Sequence, residues 1–382
     1  MHSISPSILH VSQPTEGGVC RCVRELVADQ LDRGWQVAVA SPGGVLEDAV
    51  RELGARHVQW RTGRAPGPAT WFETARLRQV VWETRPDLVH LHSSKAGLAG
   101  RLAIRGRLPT IFQPHGWSFY PLHGPLRRAA VAWERLGAHL AHVVLCVSET
   151  ERRRGEAAGI RANWHVVSNG VDVRELLPAS DADRAAARRT LDLGEGPLIV
   201  CLGRICTAKG QDVLVEAWPR VTGGVPEAQL VLVGDGEDAE RLRSTAGEGI
   251  VFAGQRDDAT DWLTAADVVA APSRWEGMSF AMLEAMASAR SLVITDVPGA
   301  RDALGDGAAG IVPLGDQRAL AAAIIARLLD PGLAAAEGTA ARARVERFHD
   351  IRDATRGVAE LYAALLGALL PGAPDAEVAA AR

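Results

Sequence analysis

The feature that most constrains the fold is a repeated order of apolar strand, polar or glycine-containing loop, and helix. Its first instance runs from SILHVSQ through GGVCRCVRELVADQLDRG to WQVAVASPGG. The strand candidates DLVHLHS, TIFQPHG and HVVLCVS follow, with helix-compatible segments between them. These strands are continuously apolar rather than alternating, which is typical of a parallel sheet covered by helices on both faces. The sequence therefore predicts an α/β fold with a doubly wound sheet.

The same order begins again in the second half, with PLIVCLGRI, AQLVLVGDGE, GIVFAGQ, DVVAAPS and SLVITDVPGA. The chain of 382 residues exceeds the roughly 250 to 300 at which a single core stops growing, so two domains are expected. We place an N-terminal domain at 1–178 and a C-terminal domain at 179–350. An amphipathic helix over about 351–370 is expected to pack back on the first domain, and 371–382 are expected to form a flexible tail.

Charge and hydropathy narrow the class of protein. The net charge of -4 and the pI near 6.3 argue against a nucleic-acid-binding protein. No apolar run approaches the ~18 residues needed to cross a bilayer, and the N-terminal segment lacks the pattern of a signal peptide. We therefore expect a cytoplasmic protein with at most peripheral contact with the inner face of the membrane.

Two glycine-containing loops are candidate anion sites, because open α/β sheets bind ligands at the carboxyl ends of their strands. Gly17 and Gly18 follow the first strand and open a helix, so the main chain there can approach a phosphate. Arg204 and Lys209 follow the first strand of the second domain. Their fixed positive charges suit a diphosphate. An ordinary turn and a solvated loop are the alternatives for the two sites.

The most specific segment is SRWEGMSFAMLEA, which follows the strand DVVAAP and runs into a helix. Glu276 lies in the loop and Glu284 lies inside the helix. The main-chain amides of Gly277, Met278 and Ser279 precede the helix and suit an anion. Two carboxylates beside an anion site fit a ligand with sugar hydroxyls on both sides of a phosphate.

This segment resembles the E-x7-E signature of retaining glycosyltransferases with the GT-B fold, most like family 4 (group 1). Other motifs agree in order and spacing over nearly the whole chain, namely GGV, SE, NGVD, GR, KG and GDG. The segment HLHSSKAG resembles a version found in bacterial polysaccharide and natural-product members. The resemblance implies two Rossmann-like doubly wound domains facing across a cleft, the second of which binds a nucleotide sugar.

The resemblance also implies roles for individual residues. Arg204 and Lys209 would hold the donor diphosphate, together with the amides of Met278 and Ser279. Further implied contacts are Glu284 with the ribose, Glu276 with sugar hydroxyls near the reacting carbon, Arg256 near the base, the Gly17–Gly18 loop over the phosphates, and His115 at the transferred sugar.

Two segments of the first domain are candidate acceptor contacts. Lys95 and Ser93 follow a strand, and either could contact an acceptor or a phosphate, with an ordinary polar loop as the alternative. An aromatic and basic stretch could serve a lipid-linked or aromatic acceptor, with an ordinary amphipathic helix as the alternative; it comprises Trp117, Phe119, Tyr120, Arg127, Arg128 and Trp133.

The expected function is retaining transfer of a hexose from a nucleoside-diphosphate sugar, which we expect to be a UDP sugar. The acceptor would be a glycan, a lipid-linked sugar or a small natural product, and no metal or other cofactor is expected. The Asp181-Ala182-Asp183 motif lies in the predicted linker rather than at a strand end, which disfavours a magnesium site there. Same-face displacement is the working mechanism, and double displacement stays open.

Three other functions fit parts of the pattern. An epimerase of the same fold would also bind a nucleotide sugar, and so would a non-catalytic binding subunit. The glutamate pair and the GR and KG motifs favour transfer over both. A dinucleotide-dependent dehydrogenase would need GxGxxG and an acid at the end of the second strand, where VAVAS has none.

Overall fold

The computed structural model describes residues 5–305 and 310–369. It divides into two compact units. Unit 1 comprises Met1–Val167 with the segment from Ala354 onward, and unit 2 comprises Ser168–Asp353. The boundary falls at Val167, whereas the sequence pattern placed it at 178. The predicted tail, 371–382, lies outside the described residues.

Unit 1 contains a sheet of seven parallel strands in the order β3-β2-β1-β4-β5-β6-β7. Its elements are β1 (Ser7–Ser12), α1 (Gly17–Asp32), β2 (Gln36–Ser41), α2 (Val45–Glu52), β3 (Arg56–Gln59), α3 (Thr70–Thr84), β4 (Leu88–His92), α4 (Ser93–Ile104), β5 (Thr110–Gln113), α5 (Gly124–Ala138), β6 (Val143–Cys146), α6 (Glu149–Ala157) and β7 (Trp164–Val166).

Unit 2 contains a sheet of six parallel strands in the order β10-β9-β8-β11-β12-β13. Its elements are α7 (Asp181–Thr190), β8 (Leu198–Leu202), α8 (Gln211–Gly224), β9 (Gln229–Val233), α9 (Ala239–Thr245), β10 (Ile250–Gly254), α10 (Ala259–Ala265), β11 (Val268–Ala271), α11 (Phe280–Ala287), β12 (Ser291–Thr295), α12 (Ala300–Leu304), β13 (Gly310–Val312), α13 (Gln317–Leu329) and α14 (Pro331–Phe348). Helix α15 (Ile351–Leu369) follows, and from Ala354 it belongs to unit 1.

The two faces of the unit 1 sheet differ in character. Leu9 on β1 and Leu91 on β4 belong to an apolar core that includes side chains of α3 and α4. The alternate positions of the same strands, His10 and His90, lie on the opposite face and are fully buried. Because both faces are buried, the strands read as continuously apolar apart from these histidines.

The unit 2 core fixes the two loops that carry the candidate site. Ile199 and Cys201 on β8 pack with Leu214 and Trp218 on α8 in one apolar cluster. Strand β8 lies between β9 and β11, so the loops after β8 and β11 leave the same edge of the sheet side by side. The predicted α/β class with doubly wound parallel sheets is confirmed.

The Asp-x-Asp motif begins a helix. Ser180 and Asp183 form a reciprocal capping box at the start of α7, and Asp181 forms an ion pair with Arg184.

No single described helix is long and apolar enough to cross a membrane. One pair, Gln317–Leu329 with Pro331–Phe348, reaches that length and composition only when taken together across a 103° bend.

Candidate active site

The loop after β8 packs main chain against main chain on the loop after β11. Gly210 has a φ of +68°, and a Cβ atom there would lie 2.2 Å from the carbonyl oxygen of Pro272. Only glycine fits this close approach without displacing one of the loops. The contact brings Lys209 to the segment that begins at Ser273.

Lys209 and Glu276 form an ion pair, in which the Lys209 ammonium donates to Glu276 Oε1. Ser273 Oγ donates to the same carboxylate oxygen at 3.0 Å. The side chains of Lys209 and Glu276 are 25% and 15% exposed, so both remain accessible to a ligand. The structure thus brings together two residues that the sequence analysis assigned to the diphosphate and to the sugar.

Arg204 lies nearer the surface than Lys209. Its side chain is 41% exposed, and Nη1 is 3.8 Å from Glu237 Oε2. Its main chain is held by Gln211, whose amide donates to the Arg204 carbonyl at 3.1 Å. The turn at Gly234 braces the same loop, because a Cβ atom there would lie 2.2 Å from the Gly203 carbonyl oxygen. The guanidinium is therefore exposed while its backbone is fixed.

Arg274 ties the two loops together. Its guanidinium donates to both carboxylate oxygens of Asp212, at 2.7 and 2.6 Å, and to the carbonyl oxygen of Thr207 at 3.0 Å. Burial alone would raise the pKa of the Asp212 carboxyl, but the Arg274 guanidinium lowers it below its ordinary value. Arg274 therefore holds Lys209 in register with Glu276 without being a predicted ligand.

The peptide groups before α11 are oriented by contacts in the interior of unit 2. A Cβ atom on Gly299 would lie 2.0 Å from the carbonyl oxygen of Gly277, so that carbonyl faces Gly299. The buried amide of Asn169 donates to the carbonyl oxygen of Met278 at 2.9 Å. In a trans peptide the N–H of the next residue points opposite to the carbonyl. The N–H groups of Met278 and Ser279 are therefore directed away from the interior.

Helix α11 carries the second glutamate. Ser279 is its N-cap residue and makes no side-chain capping bond. Glu284 lies in the second turn, partly exposed, between the buried side chains of Leu283 and Ala285. The amides of the first turn have no acceptor within the helix, and the helix dipole favours an anion there.

Arg256 follows β10 and is held by Asp258. Its guanidinium donates to the two carboxylate oxygens at 2.9 and 2.5 Å, and it lies 5.9 Å from the ring centre of Trp262. The side chain is 42% exposed. The structure thus fixes its orientation, and its predicted place near the base stays a prediction.

In unit 1, the predicted glycines lie at the N-terminus of α1. Gly17 and Gly18 are exposed, Gly17 has a φ of +70°, and no acidic residue lies in the first turn. These features leave the first-turn amides accessible to an anion.

His115 lies in the turn after β5, with a φ of +54° that non-glycine residues seldom adopt. Glu151 holds this turn by accepting hydrogen bonds from the amides of Gly116 at 2.6 Å and Val147 at 2.9 Å. Burial raises the pKa of Glu151 to about 7, while these two bonds oppose the shift. Sequence analysis missed Glu151, which lies three residues after the recognised Ser148.

Sequence analysis also missed a chain of histidines behind His115. His92 Nδ1 lies 3.1 Å from His115 Nε2, and His10 Nδ1 lies 2.9 Å from His92 Nε2. The signal in the sequence was a polar residue at alternate positions of otherwise apolar strands, as in LVHLH.

The interpretation of Lys95 as an acceptor or phosphate contact is wrong. Lys95 is 4% exposed and forms an ion pair with buried Glu73 at 2.6 Å. Its ammonium also donates to the carbonyl of Ala65 and the hydroxyl of Thr70, both at 3.0 Å. Lys95 therefore anchors the loop before α3. Trp117 and Phe119 are likewise buried, stacked 5.5 Å apart, and belong to the core rather than to an acceptor surface.

Comparisons with known proteins identify the family of this chain. Residues 16–175 match the family model described as Glycosyltransferase Family 4, and residues 196–330 match the one described as Glycosyl transferases group 1. A GDP-mannose-dependent alpha-(1-6)-phosphatidylinositol monomannoside mannosyltransferase of Mycobacterium tuberculosis is 31% identical over 358 residues, covering 86% of this chain and 90% of that protein. The chain belongs to glycosyltransferase family 4.

Other relatives of this glycosyltransferase carry related descriptions. The GDP-mannose-dependent monoacylated alpha-(1-6)-phosphatidylinositol monomannoside mannosyltransferase of Corynebacterium glutamicum is 28% identical, with coverage of 87% of this chain and 91% of that one. Among solved structures, Anabaena Alr3699/HepE in complex with UDP and glucose aligns with a TM-score of 0.81 at 22% identity, covering 94% of this chain and 100% of that one. The structural likeness confirms the predicted GT-B fold.

Acidification is expected to destabilise the glycosyltransferase. Burial lowers the pKa of His10 to about 4 and of His115 to about 3, and it lowers those of His90 and His92 well below the ordinary value of 6.5. Below pH 6.5 the unfolded chain therefore binds more protons than the folded one. His10, whose pKa is about 4, should withdraw about 2 kcal/mol of stability between pH 6.5 and 5, and His90 and His92 act in the same direction. Thermal unfolding at pH 7 and 5 measures the drop.

Glu151 acts in the opposite direction, since its raised pKa makes stability fall as pH rises from 4.5 to about 7. Because several histidines oppose this one carboxyl group, acidification should still lower the stability of the folded protein. The drop should persist when the exposed His139 is replaced in His139→Gln and shrink in His10→Gln. An unchanged melting temperature between pH 7 and 5 would contradict the assignment of neutral buried histidines.

Proposed function

We propose that this glycosyltransferase transfers mannose from GDP-mannose to a membrane lipid acceptor, with retention at the anomeric carbon and without a metal. The observation that carries the proposal is the pairing of Lys209 with Glu276 beside the outward-directed amides of Met278 and Ser279. This arrangement places groups that can bind a diphosphate next to a carboxylate that can accept hydrogen bonds from sugar hydroxyls.

The positive charges of this site would neutralise the donor diphosphate. Lys209 would exchange its bond to Glu276 for one to a phosphate oxygen, while Arg204 and the amides of Met278 and Ser279 would hold the remaining oxygens. Glu276 would then be available to accept hydrogen bonds from sugar hydroxyls. Glu284, inside α11, would accept bonds from the ribose hydroxyls.

The same groups would support transfer on one face of the sugar. The bond from the anomeric carbon to the diphosphate oxygen breaks, and a bond from that carbon to the acceptor oxygen forms on the same side. The departing diphosphate oxygen takes the acceptor proton, so the configuration is retained. Arg204 and Lys209 would stabilise the negative charge that develops on GDP, which is the task a divalent cation performs in other transferases.

The base is proposed as guanine because the sequence relatives are described as GDP-mannose-dependent. This replaces the UDP expected from the sequence pattern. UDP occurs in the description of the HepE complex, but at 22% identity that likeness supports the fold alone.

A lipid acceptor is supported by an exposed aromatic stripe on α3, defined here as Trp71, Phe72 and Trp82. These side chains are 75%, 76% and 70% exposed. The two tryptophans are eleven positions apart, which is about three helical turns and places them on one face. Exposed Arg61 and Arg64 precede the helix. Tryptophan with arginine is typical of proteins that bind an anionic membrane surface.

Removing two aromatic side chains of this stripe should weaken membrane binding. The double variant Trp71→Ser with Phe72→Ser is expected to lose about tenfold or more of its affinity for anionic vesicles, because it loses buried apolar area. Cosedimentation with phosphatidylinositol-containing vesicles measures this affinity. Leu329→Ser, which alters an exposed leucine of unit 2, serves as the control. Equal binding by both variants would count against the stripe as the membrane contact.

Nucleotide binding tests the donor site. Calorimetry with GDP, UDP, ADP and TDP should show the tightest binding for GDP, and Glu284→Ala should weaken it by about tenfold or more through the lost ribose contacts. Tighter binding of UDP would refute the proposed base. An affinity for GDP that is unchanged in Glu284→Ala would refute the site.

A further inference from the structure

Four histidines of unit 1 lie close together on one face of its sheet. His10 on β1 and His90 and His92 on β4 are fully buried, whereas His115 after β5 is partly exposed. The strand register sets His10 beside His90, and the period of two puts His90 and His92 on the same face. Three buried polar rings in parallel strands require hydrogen-bond partners.

A continuous chain of hydrogen bonds runs from α1 to the turn after β5. Gln30 Oε1 lies 2.9 Å from His10 Nε2, His10 Nδ1 lies 2.9 Å from His92 Nε2, and His92 Nδ1 lies 3.1 Å from His115 Nε2. Burial keeps these rings neutral, because it lowers the pKa of His10 to about 4 and that of His115 to about 3. A neutral imidazole donates from one nitrogen and accepts at the other, so one end of the chain sets the direction of all its bonds.

The glutamine sets that direction. An amide oxygen can only accept, so His10 Nε2 carries the proton and His10 Nδ1 accepts. His92 Nε2 must then donate, which leaves His92 Nδ1 as an acceptor. His115 Nε2 therefore donates to His92, and His115 Nδ1 keeps an unprotonated lone pair.

A second chain supports the orientation of Gln30. Tyr362 on α15 contacts His90 Nδ1 through its hydroxyl at 2.5 Å, and Gln30 also hydrogen-bonds that hydroxyl. His90 Nε2 and Gln113 Oε1 are both buried and have no hydrogen-bond partner in the described part of the chain. Burial lowers the pKa of His90, and Gln113 opposes the shift, as an accepting oxygen does.

These contacts are consistent in one direction. Because Gln30 donates to the Tyr362 oxygen, the Tyr362 hydroxyl donates to His90 Nδ1, and His90 Nε2 carries the proton of that ring. The Tyr362 oxygen accepts from the NH₂ group of Gln30, which leaves the Gln30 oxygen for His10.

A metal ion is the competing explanation, since ligand atoms of His10, His90 and His92 lie within 4.8 Å of one another. The His10 to His92 separation of 2.9 Å is a hydrogen-bond distance. Two nitrogens bound to tetrahedral zinc at about 2.0 Å would lie roughly 3.3 Å apart. Hydrogen bonding therefore accounts better for the cluster.

We propose that Gln30, His10 and His92 are positioning residues that fix His115 as the neutral Nε2–H tautomer, so that its Nδ1 accepts a hydrogen bond from a hydroxyl of the transferred sugar. The sugar contact rests on the proposed function, whereas the tautomer is a property of the protein alone.

The tautomer is measured directly on the intact protein. Two-dimensional NMR of protein labelled with ¹⁵N-histidine distinguishes protonated from unprotonated ring nitrogens, and the His115 signals are assigned from their loss in His115→Gln. At pH 7, His115 should show a protonated Nε2 and an unprotonated Nδ1. The opposite pattern, or one zinc ion per chain by elemental analysis, would overturn the proposal. This result does not depend on any transferase activity.

Two substitutions of one residue test the effect on turnover. Gln30→Met removes the accepting oxygen, so His115 should populate both tautomers and kcat/KM should fall by about tenfold. In Gln30→Glu, burial keeps the new carboxyl group protonated, so it still accepts from His10 and donates to the Tyr362 oxygen. The tautomer should therefore persist, and kcat/KM should stay within about threefold of the wild type. Equal losses in both variants with an unchanged His115 tautomer would overturn the positioning role. If neither variant folds, the wild-type spectrum still decides the tautomer.

Discussion

Replacing Lys209 by alanine should lower kcat for glycosyl transfer by about a hundredfold to a thousandfold, the effect of removing one preorganised charge from a transition state. Lys209 is positioned by the Gly210–Pro272 contact and by the bonds of Arg274 that tie the two loops together. The variant also leaves Glu276 without its ion-pair partner. Initial rates over a range of donor concentrations separate kcat from KM.

Arg220→Ala is the matched control, because Arg220 is an exposed cation on α8 in the same unit. It should leave kcat unchanged. A Lys209→Ala variant with normal kcat and a raised KM would mean that Lys209 binds the donor equally in the ground and transition states. The stabilising role on the leaving GDP would then be wrong.

Gly299→Ala should be among the most destabilising single methyl additions in unit 2. The new Cβ would lie 2.0 Å from the Gly277 carbonyl oxygen, and the φ of +82° is unfavourable for alanine. Strain and overpacking together should cost about 3 kcal/mol or more of unfolding free energy. Urea denaturation measures this loss. GDP affinity should fall as well, because relief of the clash turns the peptide that presents the Met278 amide.

Gly315→Ala separates backbone strain from steric overlap as causes of the expected loss of stability. Gly315 has a φ of +72°, and no atom lies within 4 Å of the added Cβ, so this variant carries the backbone strain without the clash. It should lose only about 1 kcal/mol and keep its GDP affinity. Similar losses of stability and of GDP affinity in Gly299→Ala and Gly315→Ala would show that the Gly277 contact does not orient the loop.

The sequence predicted the fold well because its signals are local. Each strand is a short apolar run, and each loop after a strand carries glycine or polar residues, so the strand and helix order can be read without knowing any contact. The places of Lys209 and Glu276 in the loops after β8 and β11, and of Glu284 in the following helix, could be read in the same way, whereas their roles in donor binding stay predictions. That Lys209 and Glu276 pair with each other required the strand order, which places those two loops side by side.

The groups that support the site could not be predicted in this way. Asn169 donates to the carbonyl of Met278 across 109 positions of sequence, and Gln30 on α1 contacts His10 on β1 across 20 positions. Lys95 shows the converse error: a rare lysine after a strand suggested a ligand contact, yet Glu73 on the neighbouring helix neutralises it in the interior. Whether a polar side chain is buried and paired, rather than its residue type, decides whether it contacts a ligand or supports the fold.

The proposed transfer of mannose from GDP-mannose to a membrane lipid can be measured with a radiolabelled donor. The protein would be incubated with vesicles containing phosphatidylinositol and its monomannoside, with GDP-mannose or UDP-glucose carrying a labelled sugar in parallel reactions. We expect label in the extracted lipid from GDP-mannose, little from UDP-glucose, and loss of labelling in Lys209→Ala. Labelled lipid from UDP-glucose alone, or no labelled lipid from either donor, would contradict it.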